Sequence, residues 1–187
     1  LGSQGAGFYL WLNQIFPALS GWTNAWYFGL PLLVFYFPTP FYLAALLSQI
    51  VGTAIGFKMV VMLGIWFAPF CFYYFAKKVR LPFPSLALLF SLLPLVLENN
   101  TIVGGSIQSV FCGEWTHMWS LDFLLLFLAL AYRGEKWWLS GLFLALSLSS
   151  HILTLPIAGV ALLFLLIIEK GRNWLYLVAL CLGAGLL

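Results

Sequence analysis

An uninterrupted apolar run from Ala54 to Val79 constrains the fold of this chain more than any other feature. Apart from Lys58, its charged residues lie at its end, where Lys77 and Lys78 are followed by Arg80. At about 1.5 Å per residue, a helix of this length crosses the roughly 30 Å hydrocarbon core of a membrane. The whole chain has a mean hydropathy of +1.05 and is 64% hydrophobic. We therefore expect an integral membrane protein built from helices.

Further apolar runs follow, separated by short polar or basic connections. They cover residues 81–97, 117–132, 137–150, 153–168 and 174–187. Basic residues cluster at 77–80, 133–136 and 170–172, and the positive-inside rule predicts that all three connections are cytoplasmic. Residues 1–53 then lie on the outer side. The basic residues form no patch, so the net charge of +3 predicts no nucleic-acid partner.

The first 53 residues are apolar, but prolines and glycines interrupt them, and they are rich in Trp and Tyr. These aromatic residues favour the interface between membrane and water. We expect short interfacial helices from Phe8 to Leu19 and from Phe41 to Ile50, the second ending near Gly52. The predicted organisation is all-α: an outer loop over residues 1–53, then a polytopic transmembrane helix bundle over residues 54–187. The chain begins without Met and ends inside an apolar run, which predicts a piece of a longer protein.

The strongest candidate functional residues lie between positions 112 and 122, in a chain of which only 7% is charged. Glu114 and His117 are three residues apart and share one face if helix has begun by Glu114, with Asp122 deeper on a neighbouring stripe. An acidic residue inside a membrane helix marks a functional site by default. The alternative is that Glu114 and His117 lie at an exposed loop end and Asp122 hydrogen-bonds a neighbouring helix.

Two further residues reach the outer side in this topology. His151 lies at the top of the hairpin formed by residues 137–168, and Lys58 is placed to bind a phosphate from the outer leaflet. The alternatives are a neutral His that satisfies a helix end and a Lys that snorkels to the headgroups. We predict that Glu114, His117 and His151 line one water-filled cavity roofed by residues 22–36.

No spacing in the sequence requires a metal. Cys71, Cys112 and Cys181 lack ligand spacing, and two of them lie in apolar runs, which favours small core residues. Glu, Asp and His converge, so a divalent cation can be accommodated, but no metal site is assigned. The phosphate-binding loop, the GxSxG and HExxH motifs and the dinucleotide-binding glycines are all absent.

Three stretches carry a resemblance to a known family: residues 26–47, the GEWTHMWSL segment at 113–121 and the SHILT segment at 150–154. They resemble bacterial and archaeal polytopic membrane proteins of the GT-C glycosyltransferase-like type, some labelled as related to 6-pyruvoyl-tetrahydropterin synthase. Ile152 stands where that group has Pro. The resemblance implies a GT-C-like bundle in a bacterial or archaeal inner membrane, with its site facing outward.

The resemblance also implies transfer of a sugar from a polyprenyl-phosphate donor on the outer face. Glu114 is then general base or metal ligand, and His117 and His151 position the donor phosphate or the acceptor. Lys58 stabilises the leaving phosphate. Further predicted substrate-binding residues are Asp122, Trp26 and Tyr36. The family places an acidic base early in the first outer loop, yet residues 1–20 contain no Asp or Glu, so that acid lies upstream of Leu1 or is absent.

Two other functions fit the sequence. One is a non-catalytic structural or assembly subunit of a larger membrane complex, which the missing acid in residues 1–20 favours. The other is a transporter of lipid-linked sugars, for which paired intramembrane charges or broken helices in symmetric halves are expected. In each case the predicted partners are membrane lipids, with a polyprenyl-phosphate sugar donor or other subunits of a complex.

Overall fold

The computed structural model describes residues 21–23, 30–32, 38–96, 106–134 and 136–168. This part of the chain is almost entirely helical. The exception is an antiparallel pair of strands, β1 (Gly21–Thr23) and β2 (Leu30–Leu32), in which Gly21 pairs with Leu32. The helices are α1 (Pro38–Val51), α2 (Thr53–Val79), α3 (Leu86–Phe90), α4 (Leu93–Val96), α5 (Ile107–Cys112), α6 (Trp115–Arg133), α7 (Trp137–Leu148) and α8 (Thr154–Ile168).

Helices α1 and α2 form a hairpin around Gly52. Its φ of +82° reverses the chain, a conformation that glycine adopts without steric cost. Phe41, Ala44 and Ala45 of α1 are fully buried in the same cluster as Phe57 of α2. The predicted short helix from Phe41 to Ile50 is therefore confirmed as an element, while the one predicted from Phe8 to Leu19 lies outside the described residues.

Helices α2 and α6 pack side by side and run in the same direction. The Phe57 ring lies 5.3 Å from that of Trp115. Closer to the C-terminal ends of both helices, the Phe67 ring lies 6.3 Å from that of Trp119. The Trp119 indole Nε1–H donates to the carbonyl of Val60 at 3.0 Å. A Cβ atom at Gly64 would come within 2.9 Å of the same indole, so this close packing needs glycine there.

Helix α7 runs antiparallel to α6 and α8, and buried hydroxyl groups hold the three helices together. Ser120 of α6 donates to the carbonyl of Ser147 at 2.6 Å, and Ser147 donates to the carbonyl of Ser120 at 2.8 Å. The hydroxyl groups of Ser120 and Thr154 lie 2.8 Å apart. Hydrogen bonds of this kind join helices where hydrophobic packing alone gives little specificity. They fix the connection between α7 and α8 against the start of α6.

Two helices of the described part are long and apolar enough to cross a membrane: Thr53–Val79 and the Trp115–Tyr132 portion of α6. Both match predicted spans. Helices α1, α7 and α8 are shorter, with 14, 12 and 15 residues. The multi-pass GT-C-like arrangement and the division at residue 53 remain predictions.

The predicted span from Leu81 to Leu97 is not one continuous helix. The chain forms only α3 and α4 there, with a turn at Ser91 and Leu92 between them. Proline accounts for the interruption, because Pro94 lacks the backbone N–H that a continuous helix would donate to the carbonyl four residues earlier. The predicted last helix, residues 174–187, lies outside the described residues.

Candidate functional site

A carboxylate and an imidazole from distant parts of the chain meet at the start of α6. Helix α5 ends at Gly113, whose φ of +114° turns the chain, and Glu114 directly precedes α6. The Glu114 side chain does not cap α6. Instead its Oε2 lies 2.9 Å from Nε2 of His151, in the connection between α7 and α8. The fold thus joins residues that are 37 positions apart.

Both ring nitrogens of His151 are engaged. Its Nδ1 accepts the backbone N–H of Leu153 at 3.3 Å. Its Nε2 faces Oε2 of Glu114. His151 therefore fixes one oxygen of the carboxylate and has no ring nitrogen left for another group.

Glu114 is the more accessible member of the pair. Its side chain is 32% exposed, against 6% for His151. Hydrogen bonding from His151 lowers the pKa of the Glu114 carboxyl; partial burial opposes this, and the nearby charges of His151 and His117 lower it further. Within the described part of the chain, Oε1 of Glu114 has no hydrogen-bond partner. The carboxylate is thus ionised at neutral pH and has one oxygen available to a ligand.

His117 completes the cluster from the first turn of α6. Its ring centroid lies 4.8 Å from that of His151, with the rings tilted by 37°. The structure therefore brings together Glu114, His117 and His151, as predicted, and their catalytic roles stay predictions. No group of three or more His, Cys, Asp or Glu among the described residues has a geometry that could hold a metal. The predicted cavity roof, residues 22–36, lies largely outside the described part.

Supporting residues that the sequence analysis did not identify hold the connection carrying His151. The Thr154 hydroxyl donates to the carbonyl of His151 at 2.5 Å, and the Thr39 hydroxyl of α1 lies 2.6 Å from that of Ser149. These contacts join α1, α7 and α8 around the imidazole. The only sequence signal was the concentration of Ser and Thr at residues 147–154, which could not identify their partners.

Asp122, predicted as a substrate-binding residue, lies apart from this cluster. It follows His117 by five positions, about 140° around the helix. The side chain is fully buried, within electrostatic reach of Cys71 on α2, and neither carboxylate oxygen has a hydrogen-bond partner among the described residues. Helix α6 therefore directs Asp122 toward α2 and His117 toward His151, in the connection between α7 and α8.

Lys58 does not join the cluster either. It is exposed on the outer face of α2, in a groove with Ile55, Met59, Met62, Leu63 and Trp66. Its neighbour Phe57 faces inward and contacts Trp115. Helix α2 therefore directs Lys58 away from α6, and a role beside Glu114 has no geometric support. Trp26 and Tyr36 lie outside the described residues.

Comparison with protein-family models, curated proteins and solved structures gives no match to this chain.

Proposed function

We propose that this chain is the site-bearing part of an integral membrane transferase that moves a sugar from a polyprenyl-phosphate donor to an acceptor hydroxyl. The observation that carries the proposal is the Glu114 carboxylate, with Oε2 fixed by His151 and Oε1 available on a partly exposed side chain. A general base must be ionised, oriented and within reach of a substrate proton. Glu114 meets the first two requirements, and its exposure supports the third.

In the proposed step, Oε1 of Glu114 accepts the proton of the acceptor hydroxyl. The hydroxyl oxygen forms a bond to the anomeric carbon, the bond from that carbon to the phosphate oxygen breaks, and the phosphate leaves with the electron pair. His151 acts as a positioning residue, because both of its ring nitrogens are already engaged. His117, whose ring lies 4.8 Å from that of His151, contributes a further polar side chain beside Glu114.

The proposal includes a multi-pass protein whose site faces outward. Supporting it, α2 and α6 run in parallel, so the basic residues at 77–80 and Lys136 lie toward one end of the bundle, opposite the Glu114 cluster. The positive-inside rule makes the basic end cytoplasmic. A single Cys introduced at position 79 should resist an impermeant thiol reagent in intact cells, and strong labelling there would reverse the orientation.

A second candidate is a non-catalytic subunit of a membrane complex. The observation favouring it is that Glu114 and His151 tie the start of α6 to the connection between α7 and α8, which is what a purely structural latch would do. In that case the carboxylate serves packing, and no substrate proton is transferred.

Replacing Glu114 with Gln separates the two functions. The amide keeps the size of the side chain but cannot accept a proton, so sugar transfer from a polyprenyl-phosphate donor in isolated membranes should fall by about 100-fold or more. The matched control is Asp122→Asn, which changes the other described carboxylate and should leave transfer within about threefold, because Asp122 lies outside the cluster. Folding is checked by thermal unfolding in detergent. Transfer unaffected by Glu114→Gln would favour the structural subunit.

A further inference from the structure

A single cation lies on an otherwise apolar, exposed face of the longest helix. We propose that Lys58 binds the phosphate of an anionic phospholipid whose acyl chain lies in the groove along α2. This site is separate from the Glu114 cluster, and it rests only on the proposed membrane placement of α2. The chemistry that recognises the ligand is an ammonium group for the phosphate and an apolar groove for the tail.

The position of Lys58 along α2 matches the level of lipid phosphates. Lys58 and Lys77 are separated by 19 residues, which corresponds to about 28 Å along a helix. The hydrocarbon core of a membrane is about 30 Å thick. If Lys77 and Lys78 lie at one headgroup layer, the ammonium group of Lys58 reaches the opposite layer. Lipid phosphates are the anions found at that depth.

The shape of the groove fits one acyl chain of one leaflet. The groove has a volume of about 330 Å³ and is lined by Ile55, Met59, Met62, Leu63 and Trp66 beside Lys58. It extends over the twelve residues from Ile55 to Trp66, or about 16 Å of helix, roughly half of the hydrocarbon core. Met side chains are flexible and adapt to an irregular apolar ligand. A free phosphate ion would gain nothing from these five side chains, whereas a lipid would use all of them.

The charge of Lys58 also calls for an anion from outside the described chain. No acidic residue in the described ranges forms an ion pair with Lys58. By contrast, Lys77 and Lys78 lie over the rings of Tyr73 and Tyr74, at 5.9 and 5.6 Å from the centroids. A lysine on a lipid-facing surface extends toward the headgroups, where an anionic phosphate compensates its charge.

Photo-crosslinking with site mapping tests the proposal. The protein is reconstituted into phosphatidylcholine vesicles that carry a trace of a phosphatidylglycerol or phosphatidylcholine probe with a diazirine in its acyl chain. We expect the phosphatidylglycerol probe to label residues 55–66 about fivefold more than the phosphatidylcholine probe. Lys58→Gln should abolish that preference. Met62→Trp, which fills the groove and keeps the charge, should lower the labelling by both probes.

The matched control is Lys77→Gln, which removes a cation from the other end of α2 and should leave labelling at 55–66 unchanged. Equal labelling by both probes in the wild-type protein, or a preference that survives Lys58→Gln, overturns the proposal. Competition by millimolar inorganic phosphate would indicate a free-phosphate site and also overturn it. Labelling of α2 by neither probe would instead refute the membrane placement, independently of whether Glu114 is catalytic.

Discussion

Glu114 and Asp122 are two carboxylates, eight residues apart, that lie in opposite environments in the fold. Glu114 precedes the first turn of α6, is partly exposed and has the imidazole of His151 hydrogen-bonded to one oxygen. Asp122, eight residues later, is fully buried, and its two oxygens have no hydrogen-bond partner within the described ranges. Glu114 therefore has the contacts of a site residue. Asp122 is buried like a core residue, although its side chain carries an ionisable carboxyl group.

The comparison shows that burial alone does not identify a functional carboxylate. A buried carboxyl group without a partner is costly to ionise, whereas one hydrogen-bonded to a positioned donor keeps its charge at little cost. The two residues should therefore respond differently to removal of their ionisable group. The expected differences, from the largest to the smallest, concern stability, coupling between side chains and pH dependence.

The largest effect on stability is expected at Asp122. Asp122→Asn removes the need to protonate or bury a charge, and it should raise the free energy of unfolding by about 1–2 kcal/mol. Glu114→Gln, which weakens a hydrogen bond to a charged group, should lower it by about 1 kcal/mol. Unfolding of both variants in mixed micelles measures these values. A loss of stability in Asp122→Asn would show that Asp122 has a bonding partner in the folded protein.

The next effect concerns coupling between side chains. In a double-mutant cycle with Glu114→Gln and His151→Asn, we expect a coupling energy of about 1 kcal/mol, because the two residues share a direct hydrogen bond. The matched cycle with Glu114→Gln and Asp122→Asn should be additive within about 0.5 kcal/mol, since eight residues of helix place them about 12 Å apart. Coupling of similar size in both cycles would contradict the separation of the two carboxylates.

The smallest effect is a pH dependence. The pKa of Glu114 is lowered in the folded protein, first by the hydrogen bond from His151. Its stabilising contribution is therefore complete above the ordinary pKa of Glu and is lost as pH falls through the lowered folded-state value. The stability difference between wild type and Glu114→Gln should shrink by about 0.5 kcal/mol between pH 7 and pH 3, a small value because the group is partly exposed. A constant difference over that range would mean that the pair does not affect the ionisation of Glu114.

Much of the fold follows from local sequence. The apolar run at 54–79 predicted α2, the run at 117–132 predicted α6, and the short hairpin predicted α7 and α8 almost to their ends. The run at 81–97 does not form one continuous helix, because average hydropathy does not register the position of a proline. Only α3 and α4 form there.

The candidate site was predicted in part. The rarity of charge pointed to Glu114, His117 and His151, and the assumed topology placed them at one end of the bundle. The same reasoning added Lys58 and Asp122, because the predicted topology places them at a similar depth in the membrane. Height along a helix does not specify direction around it, and α2 and α6 direct these two side chains away from the cluster.

The sequence by itself determined that the described part of the chain is mostly helical and apolar, and it located both helices there that are long enough to cross a membrane, because length and composition are local properties. The tertiary structure alone decided that Glu114 meets His151, that the backbone N–H of Leu153 engages the other ring nitrogen, and that Asp122 is buried without a partner among the described residues. Those outcomes depend on which helix faces pack together. Packing is selected by contacts such as Phe57 with Trp115 and Ser120 with Ser147, which join residues that no local pattern pairs.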